Sequence, residues 1–216
     1  KDAPLPFKEA ALRILRSRAY LSFAAACGLH VCMDAIYLYF LPLYFSNYAI
    51  GMSLEEVGAG ISLGFVASSF AKFSGGLLVS PLGRKDLRWY SWLPACSKGI
   101  LTLLWIVFFS LNDYEVALQL LIPMGLLNGL QAAPQMTMST SLVPSRCRGL
   151  AAASYGLIPS VLAVVVTPAV GYFADLAGLG TAIATGLMST SALAAVCYAC
   201  SGLYIVDDLR EVAEGR

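Results

Sequence analysis

Residues 150–174 read LAAASYGLIPSVLAVVVTPAVGYFA, an apolar stretch of 25 residues that contains no charged side chain. A helix needs about 20 apolar residues to cross the hydrocarbon core of a bilayer. Five more apolar stretches of comparable length lie at residues 20–45, 57–79, 90–111, 116–142 and 182–206. Because lipid offers no partners to backbone N–H and C=O groups, we expect each stretch to form a transmembrane helix.

The composition favours a membrane protein over a soluble one. Of the 216 residues, 58% are hydrophobic and 12% are charged, whereas an average soluble domain has roughly 45–50% apolar and about 25% charged residues. The formal net charge is only +1, so nothing favours nucleic acid as a partner, and the high hydrophobicity excludes a disordered chain. The sequence predicts an all-α, polytopic membrane protein with six transmembrane helices.

The charged residues between the spans predict the orientation and the domains. Lys and Arg precede the first span, follow the last, and lie in the loops after the second and fourth spans, while the other loops are acidic. Since cytoplasmic loops carry the Lys and Arg excess, we expect both termini on the cytoplasm-like side of the membrane. We predict a basic amphipathic linker on that surface at residues 1–18, a six-helix transmembrane bundle at 19–206, and a charged C-terminal tail at 207–216.

Three charged residues lie well inside the predicted spans, namely Asp34, Lys72 and Lys98. A charge at the centre of a transmembrane helix costs roughly 2.5–3.5 kcal/mol, so an ionisable residue there indicates a function. The single histidine, His30, precedes Asp34 by four residues, and Tyr37 continues the same helical face. We predict a substrate or proton pathway along this face. An interhelical hydrogen bond is the alternative role for His30.

The two lysines have different interpretations. Lys72 lies deep enough in the second span to pair with Asp34 or to receive an anionic group of a substrate, and we include it in the pathway. Its alternative is that the long side chain extends to the membrane interface. Lys98 follows Pro94 in the basic-side half of the third span. We expect the Lys98 side chain to reach the interface, and we rank it below the other candidates.

The fourth span carries a polar stripe. Asn128, Gln131, Gln135 and Ser139 follow one another at intervals of three or four residues and therefore share one helical face. An unpaired amide in hydrocarbon costs several kcal/mol, so this face must meet protein or water. We predict that Asn128, Gln131 and Gln135 line a substrate cavity. Hydrogen bonding between helices is the alternative.

Motifs of other activities are missing or lie in the wrong context. GISLG at residues 60–64 matches the GxSxG pattern of serine hydrolases, but that pattern requires a strand–turn–helix setting and not an apolar helix. The sequence has no Walker A pattern. Its CxxC at residues 197–200 has no second pair of ligands nearby, and most of the six cysteines lie in apolar stretches. We therefore expect no enzyme, no metal site and no cofactor.

The loop after the second span carries a family pattern. Residues 76–85 read GLLVSPLGRK, which resembles the loop pattern GxxxD(R/K)xGR(R/K) of the major facilitator superfamily, with Ser80 in place of Asp. Residues 143–153 and 167–175 resemble the patterns at the start and end of the fifth helix in a six-helix half of that superfamily. The resemblance implies a conformational role for these residues: Gly76, Gly83, Arg84, Lys85, Arg148, Gly149, Pro168, Gly171 and Asp175.

Further stretches narrow the resemblance. The chain is similar to the second half of spinster-like transporters in three stretches, namely RKDLRWYSWLPA at residues 84–95, LPLYF at 41–45 and GMSLEEVG at 51–58. The resemblance implies the C-terminal half of a twelve-helix secondary transporter, built as two inverted three-helix repeats. In such a transporter the substrate binds between two halves that rock around it.

That resemblance also implies the partners. The first, second, fourth and fifth helices would line or gate the cavity, and an N-terminal six-helix half would complete it, in the same longer chain or as a partner chain. The substrate would be an amphipathic lipid or, as the closest rival, a small organic anion, moved together with a proton. The alternative to a transporter is a non-transporting six-helix scaffold or an assembly subunit of a membrane complex, which the departure at Ser80 and Pro81 favours slightly.

Overall fold

The computed structural model describes residues 16–49, 52–142 and 148–213, which form helices and no strands. The helices are α1 (Arg18–Tyr48), α2 (Leu54–Lys85), α3 (Trp89–Ser110), α4 (Tyr114–Gly129), α5 (Ala132–Ser141), α6 (Arg148–Ala177) and α7 (Leu179–Ala213). Helices α4 and α5 together make one span, so the described residues contain six helical segments that are long and apolar enough to cross a membrane. The predicted all-α fold with six spans is confirmed.

Two parts of the sequence interpretation fall partly or wholly outside this description. The linker helix predicted within residues 1–18 lies almost entirely outside the described residues. Residues 143–147, which begin the family pattern before α6, also lie outside them. At the other end of the chain, α7 continues past the predicted end of the bundle at residue 206 as far as Ala213.

Polar caps and one glycine set the ends of the helices. Ser17 caps α1 by accepting a hydrogen bond from the Tyr20 backbone N–H, and Asp113 caps α4 in the same way. Ser53 and Glu56 form a reciprocal capping box at the start of α2. Gly178, with φ of 89°, is the only residue between α6 and α7. A left-handed backbone of this kind favours glycine, and it allows the chain to reverse directly into the last span.

The interruption between α4 and α5 has a local cause. Pro134 has no N–H to donate to the Leu130 carbonyl, and its ring crowds that carbonyl, so the helix breaks at Leu130 and Gln131. The freed carbonyl lies against α2, where a Cβ atom added to Gly75 would collide with it. The break places Gln131 in the interior of the bundle, with 1% of its surface exposed.

Two apolar clusters stabilise the bundle, and a polar layer lies between them. Along α1, the buried residues between positions 19 and 27, such as Phe23, belong to one cluster together with Tyr198 of α7. The buried residues between positions 33 and 49, such as Phe45, belong to the other cluster together with Trp105 of α3. The short interval between these two ranges carries His30, where Lys98 from α3 and Gln131 from the break between α4 and α5 contact it. The candidate site lies in this layer.

Candidate functional site

Lys98 is buried at the centre of the polar layer, and its predicted extension to the membrane interface is wrong. Its relative exposure is 0%. The Nζ atom lies 2.8 Å from His30 Nδ1, 2.8 Å from Asn128 Oδ1 and 3.5 Å from Met33 Sδ. A buried ammonium group is tolerated only where it is hydrogen-bonded and paired. Here α1 and α4 supply those partners, so the side chain stays inside the bundle.

Asp34 is the carboxylate that faces this ammonium group, and two side chains bridge the gap between them. Asn128 accepts a hydrogen bond from Lys98 at Oδ1 and donates one from Nδ2 to Asp34 Oδ1 at 3.0 Å. His30 provides the second bridge, because its Nε2 lies 3.4 Å from Asp34 Oδ2. Asn128 and His30 therefore connect Lys98 to Asp34, and these four side chains link α1, α3 and α4.

The two ring nitrogens of His30 meet different groups. Nδ1 lies within hydrogen-bond distance of the Lys98 Nζ atom, and Nε2 faces the Asp34 carboxylate. The predicted juxtaposition of His30 and Asp34 on one helical face is present. The interhelical hydrogen bond that was its alternative is present too.

Gln131, at the break between α4 and α5, is also part of the polar layer. Its Nε2 lies 2.9 Å from His30 Nδ1 and 3.1 Å from His30 Nε2, and it donates to the Asn128 carbonyl at 3.0 Å. Its Oε1 is buried and has no hydrogen-bond partner among the described residues. A buried amide oxygen without a partner is uncommon in folded proteins.

A second polar network lies next to the first. Two of its members could not be recognised as site residues from the sequence. Gln135 donates to the hydroxyl of Tyr198 on α7 and accepts from the hydroxyl of Tyr155 on α6 at 3.0 Å. The Tyr198 hydroxyl also lies 3.7 Å from Cys27 Sγ. Both tyrosines stand in apolar stretches, where a single aromatic residue gives no sign that its hydroxyl will meet a glutamine.

Two cavities and one groove border the residues of the two polar networks. A cavity of about 30 Å³, enough for one water molecule, is lined by Asp34, Tyr37, Ser68, Trp105 and Asn128 among others. A second, of about 190 Å³, lies between α1, α5 and α6 and is lined by His30, Gln135, Tyr155 and Ser160 among others. A groove of about 520 Å³ runs between α1 and α6 and is lined mainly by apolar residues, with Asp34 beside them.

Tyr37 and Lys72 occupy different surroundings. Tyr37 packs edge-to-face on Trp105 at a centroid distance of 6.1 Å and lines the smallest cavity. Lys72 is exposed on α2. It makes no pair with Asp34, because His30–Asp34 is the one contact within 4 Å between a basic and an acidic side chain in the described part of the chain. The structure thus gathers His30, Asp34, Asn128 and Gln131 around Lys98 and leaves Lys72 outside.

The residues of the family patterns lie on α2 and α6, and most of them are exposed. Gly83 is buried near the end of α2, where an added Cβ atom would collide with the ring of Tyr90. Arg84 and Lys85 are exposed in the last turn of α2, where cations interact favourably with the helix dipole. Gly76 and Gly171 are partly buried, and the remaining residues of the set are exposed: Arg148, Gly149, Pro168 and Asp175.

Across residues 16–49, 52–142 and 148–213, no group of three His, Cys, Asp or Glu side chains could hold a metal ion.

Comparison with known proteins agrees with this architecture. The chain matches the sequence model of the Major Facilitator Superfamily over residues 1–165. Its fold is similar to the crystal structure of a bacterial homologue of the human lysosomal transporter Spinster, in an inward-facing and unoccupied conformation, with a TM-score of 0.65 and 17% sequence identity. That alignment covers 98% of this chain and 51% of the other, so the chain spans about half the length of the structure it matches.

A search of curated proteins gave no match. The family match covers more than half of the chain, and the six apolar spans are those of a multi-pass membrane protein. The chain is therefore an integral membrane protein that belongs to the major facilitator superfamily.

Proposed function

We propose that this bundle is one half of a secondary transporter that works by alternating access. In this proposal a second six-helix half, in the same longer protein or in a partner chain, completes a cavity near the middle of the membrane. Family membership supports the proposal, and so does the similarity of the chain to half of a solved transporter homologue. The bilayer is the other partner, and we propose that both termini lie on its cytoplasm-like side.

The observation that carries this proposal is the polar layer in which Asn128 and His30 connect the buried Lys98 to Asp34. A fixed scaffold in a membrane has no need of ionisable residues in its interior, since apolar residues of the same size would pack as well or better. Asp34 is also partly open, with 46% of its side chain exposed, while Lys98 is fully buried. An accessible carboxylate joined to a buried cation suits a group that exchanges partners during transport.

The groove between α1 and α6 supports an amphipathic substrate. Val31, Leu38 and Val164 contribute apolar side chains to it, and Asp34 and Ser160 add polar groups. A lipid with one chain would place that chain along the apolar side and its head group toward the polar layer. A small organic anion is the rival substrate, and it would use the polar layer alone.

Transport in proteoliposomes tests the proposal. The protein that contains this bundle is reconstituted, and uptake of a lysophospholipid, a sphingoid base and several small organic anions is measured with and without a proton gradient. We expect uptake of one class, and we expect Asp34→Asn to reduce it at least about tenfold. Lys72 stays a predicted residue of the pathway, so Lys72→Gln belongs in the same series. The exposed Asp207 supplies a matched control, Asp207→Asn, which should transport normally.

The same assay separates a transporter from a scaffold. A folded protein that moves none of these compounds, and that co-purifies with a membrane complex, would support the alternative of an assembly subunit.

Thiol labelling tests the proposed side of the termini. We expect thiol-labelling reagents to reach a cysteine introduced at Arg84 from one side of the membrane and a cysteine introduced at Glu55 from the opposite side. Labelling of both from one side would contradict the topology.

We also propose that the bundle is not an enzyme. Ser62, which matches the serine of the GxSxG pattern, lies inside α2 on an exposed face and not at a strand–turn–helix junction. A fluorophosphonate probe should leave Ser62 unlabelled. Covalent labelling that disappears in Ser62→Ala would contradict this part of the proposal.

A further inference from the structure

We propose that the cavity between α1, α5 and α6 binds the head group of the substrate, and that it selects an uncharged head group with free hydroxyl groups, whose single hydrocarbon chain lies in the adjoining groove. This inference deepens the proposed transport function and rests on it for the movement of the ligand. The preference for hydroxyl groups is a binding property of the bundle, so it can be measured without transport.

The cavity and the groove adjoin each other. Val31 on α1 and Ser160 on α6 line both of them. The cavity has a volume of about 190 Å³, which is room for roughly six water molecules at about 30 Å³ each, and the groove has about 520 Å³. A ligand that occupies both spaces therefore combines a compact group of several heavy atoms with a longer chain.

The groove offers mainly apolar surface to that chain. Leu38 on α1 and Val164 on α6 are among its apolar side chains. The hydroxyl groups of Ser160 and Thr167, which also line it, each donate to a backbone carbonyl of α6. Their donors are therefore already used within the helix. A hydrocarbon chain in the groove would bury apolar surface without breaking these bonds.

The cavity differs from the groove because Gln135 and Tyr155 give it free hydrogen-bonding capacity. Both line it, and the Tyr155 hydroxyl donates its one proton to Gln135 Oε1 at 3.0 Å. A phenol oxygen can also accept, and of the two protons of the Gln135 amide the Tyr198 hydroxyl takes one. The pair thus retains one acceptor oxygen and one N–H donor. A hydroxyl group donates and accepts at once, so it is the ligand group that uses both.

The packing fixes these two side chains in position. Gln135 is 3% exposed, and its partner Tyr198 is fully buried. The ring of Tyr155 stacks on Phe23 at a centroid distance of 6.4 Å, and the ring of Tyr198 packs edge-to-face on the same Phe23 at 6.1 Å. Groups that are held in place before a ligand arrives lose little freedom when it binds. The cavity is therefore preorganised for a hydroxyl group.

The lining of the cavity disfavours a charged head group. Among the described residues that line it there is no Asp, Glu, Lys or Arg side chain. His30 forms part of one wall, but its Nδ1 lies 2.8 Å from Lys98 Nζ and its Nε2 lies 3.4 Å from Asp34 Oδ2, so both ring nitrogens already have partners. A charged group that enters such a cavity loses its hydration and gains no direct counter-charge, which costs far more than the transfer of a hydroxyl group.

Asp34 defines the rival ligand. Its carboxylate lines the groove but not the cavity. An amphiphile with a positively charged head group would pair with this carboxylate in the groove and leave the cavity unused. The two ligands therefore differ in their dependence on Tyr155, whose hydroxyl only a head group inside the cavity can reach.

Binding of matched amphiphiles tests the preference. The protein that contains this bundle is placed in lipid nanodiscs, and binding to empty nanodiscs is subtracted. Decylglycerol, which carries two free hydroxyl groups, is compared with its dimethyl ether, which is also uncharged and can only accept. We expect decylglycerol to bind at least about tenfold more tightly than the ether, because the ether gives no donor to the Tyr155 oxygen. Equal affinities of the two compounds would overturn the inference.

A variant of Tyr155 places that preference in the cavity. Tyr155→Phe keeps the stacked ring and removes the oxygen, so decylglycerol should bind about three- to tenfold more weakly and its dimethyl ether with unchanged affinity. Tyr172 on the same helix is 68% exposed, and Tyr172→Phe should bind both compounds as the unmodified protein does. If decylglycerol binds equally well to Tyr155→Phe and Tyr172→Phe, the head group does not lie in this cavity.

A second variant keeps the test open if Tyr155→Phe does not fold. Gly156 lines the cavity, and a Cβ atom added there meets no other atom within 4 Å. Gly156→Leu should therefore fill part of the space and weaken the binding of decylglycerol at least about tenfold. Gly99 on α3 has the same open space and lies outside the cavity lining, so Gly99→Leu should bind normally. Equal binding by these two variants would overturn the location.

Two charged amphiphiles complete the test. Decanesulfonate and decyltrimethylammonium have chains of the same length as decylglycerol, and both should bind more weakly than it does. Tighter binding of either one would overturn the preference for an uncharged head group, and for the cation it would point to Asp34 in the groove. A protein that transports charged compounds without any preference for hydroxyl groups would retain the proposed function and lose this inference. A protein that shows the preference but does not transport would do the reverse.

Discussion

Asp208, near the end of α7, accepts a hydrogen bond from Ser17 Oγ at 2.6 Å and another from the Ala19 backbone N–H at 2.9 Å. Ser17 is the N-cap of α1, so a carboxylate from the last helix completes the cap of the first. A negative charge at a helix N-terminus is stabilised by the helix dipole. The start of α1 and the end of α7 are thus joined at the same end of the bundle.

Removal of this carboxylate should destabilise the bundle. We expect Asp208→Ala to lower the free energy of unfolding by about 1–3 kcal/mol, because the Ser17 hydroxyl and the Ala19 N–H both lose a charged acceptor. Asp207→Ala changes the exposed neighbour and should have almost no effect. Thermal unfolding in detergent micelles measures both. Equal stability of the two variants would contradict the role of Asp208 as an inter-helix cap.

The number of spans was predictable because each one is specified by its own residues. Lipid imposes length and hydrophobicity on every helix separately, so local composition is sufficient. Lys98 shows where such reasoning fails. Its distance from the end of α3 indicates that its side chain can reach the interface, but the partners that hold it inside are His30 and Asn128, which belong to other helices.

The candidate site was predictable to the extent that its residues share one helix. His30 with Asp34 on α1, and Asn128 with Gln131 on the fourth span, follow from helical periodicity. The packing of α6 and α7 against Gln135 depends on contacts between distant residues, so Tyr155 and Tyr198 had no local signal. Lys72 remains a prediction that rests on its depth alone.

The close packing of α2 on α4 should be sensitive to a single methyl group. An added Cβ atom at Gly125 would collide with the Gly64 carbonyl, which is backbone and cannot rotate away. We expect Gly125→Ala to lower the free energy of unfolding by about 1–3 kcal/mol. Gly99 on α3 has open space around the same atom, so Gly99→Ala should be neutral or stabilising by up to about 1 kcal/mol. Equal unfolding temperatures of Gly125→Ala and Gly99→Ala would contradict close packing of α2 on α4 at Gly64.

The break at Leu130 should depend on Pro134. In Pro134→Ala the backbone N–H at position 134 becomes available to the Leu130 carbonyl, so α4 and α5 should join into one helix. Gln131 would then turn away from His30, the single histidine of the chain. In protein labelled with ¹⁵N-histidine, the nitrogen signals of its imidazole should therefore shift. Pro123, which is exposed on α4, provides the control Pro123→Ala. Unchanged histidine signals in Pro134→Ala would show that the break does not position Gln131.

The hydrogen bond from Tyr155 to Gln135 should contribute to stability separately from the packing of its ring. Tyr155 stacks on Phe23 at a centroid distance of 6.4 Å, and its hydroxyl donates to Gln135 Oε1 at 3.0 Å. Tyr155→Phe keeps the stacked ring and removes only the donor, so we expect a loss of about 1 kcal/mol in the free energy of unfolding. Tyr172 on the same helix is 68% exposed, and Tyr172→Phe should leave the stability unchanged. A Tyr155→Phe variant as stable as Tyr172→Phe would mean that water replaces the hydroxyl at no cost, and the second polar network would then contribute nothing to folding.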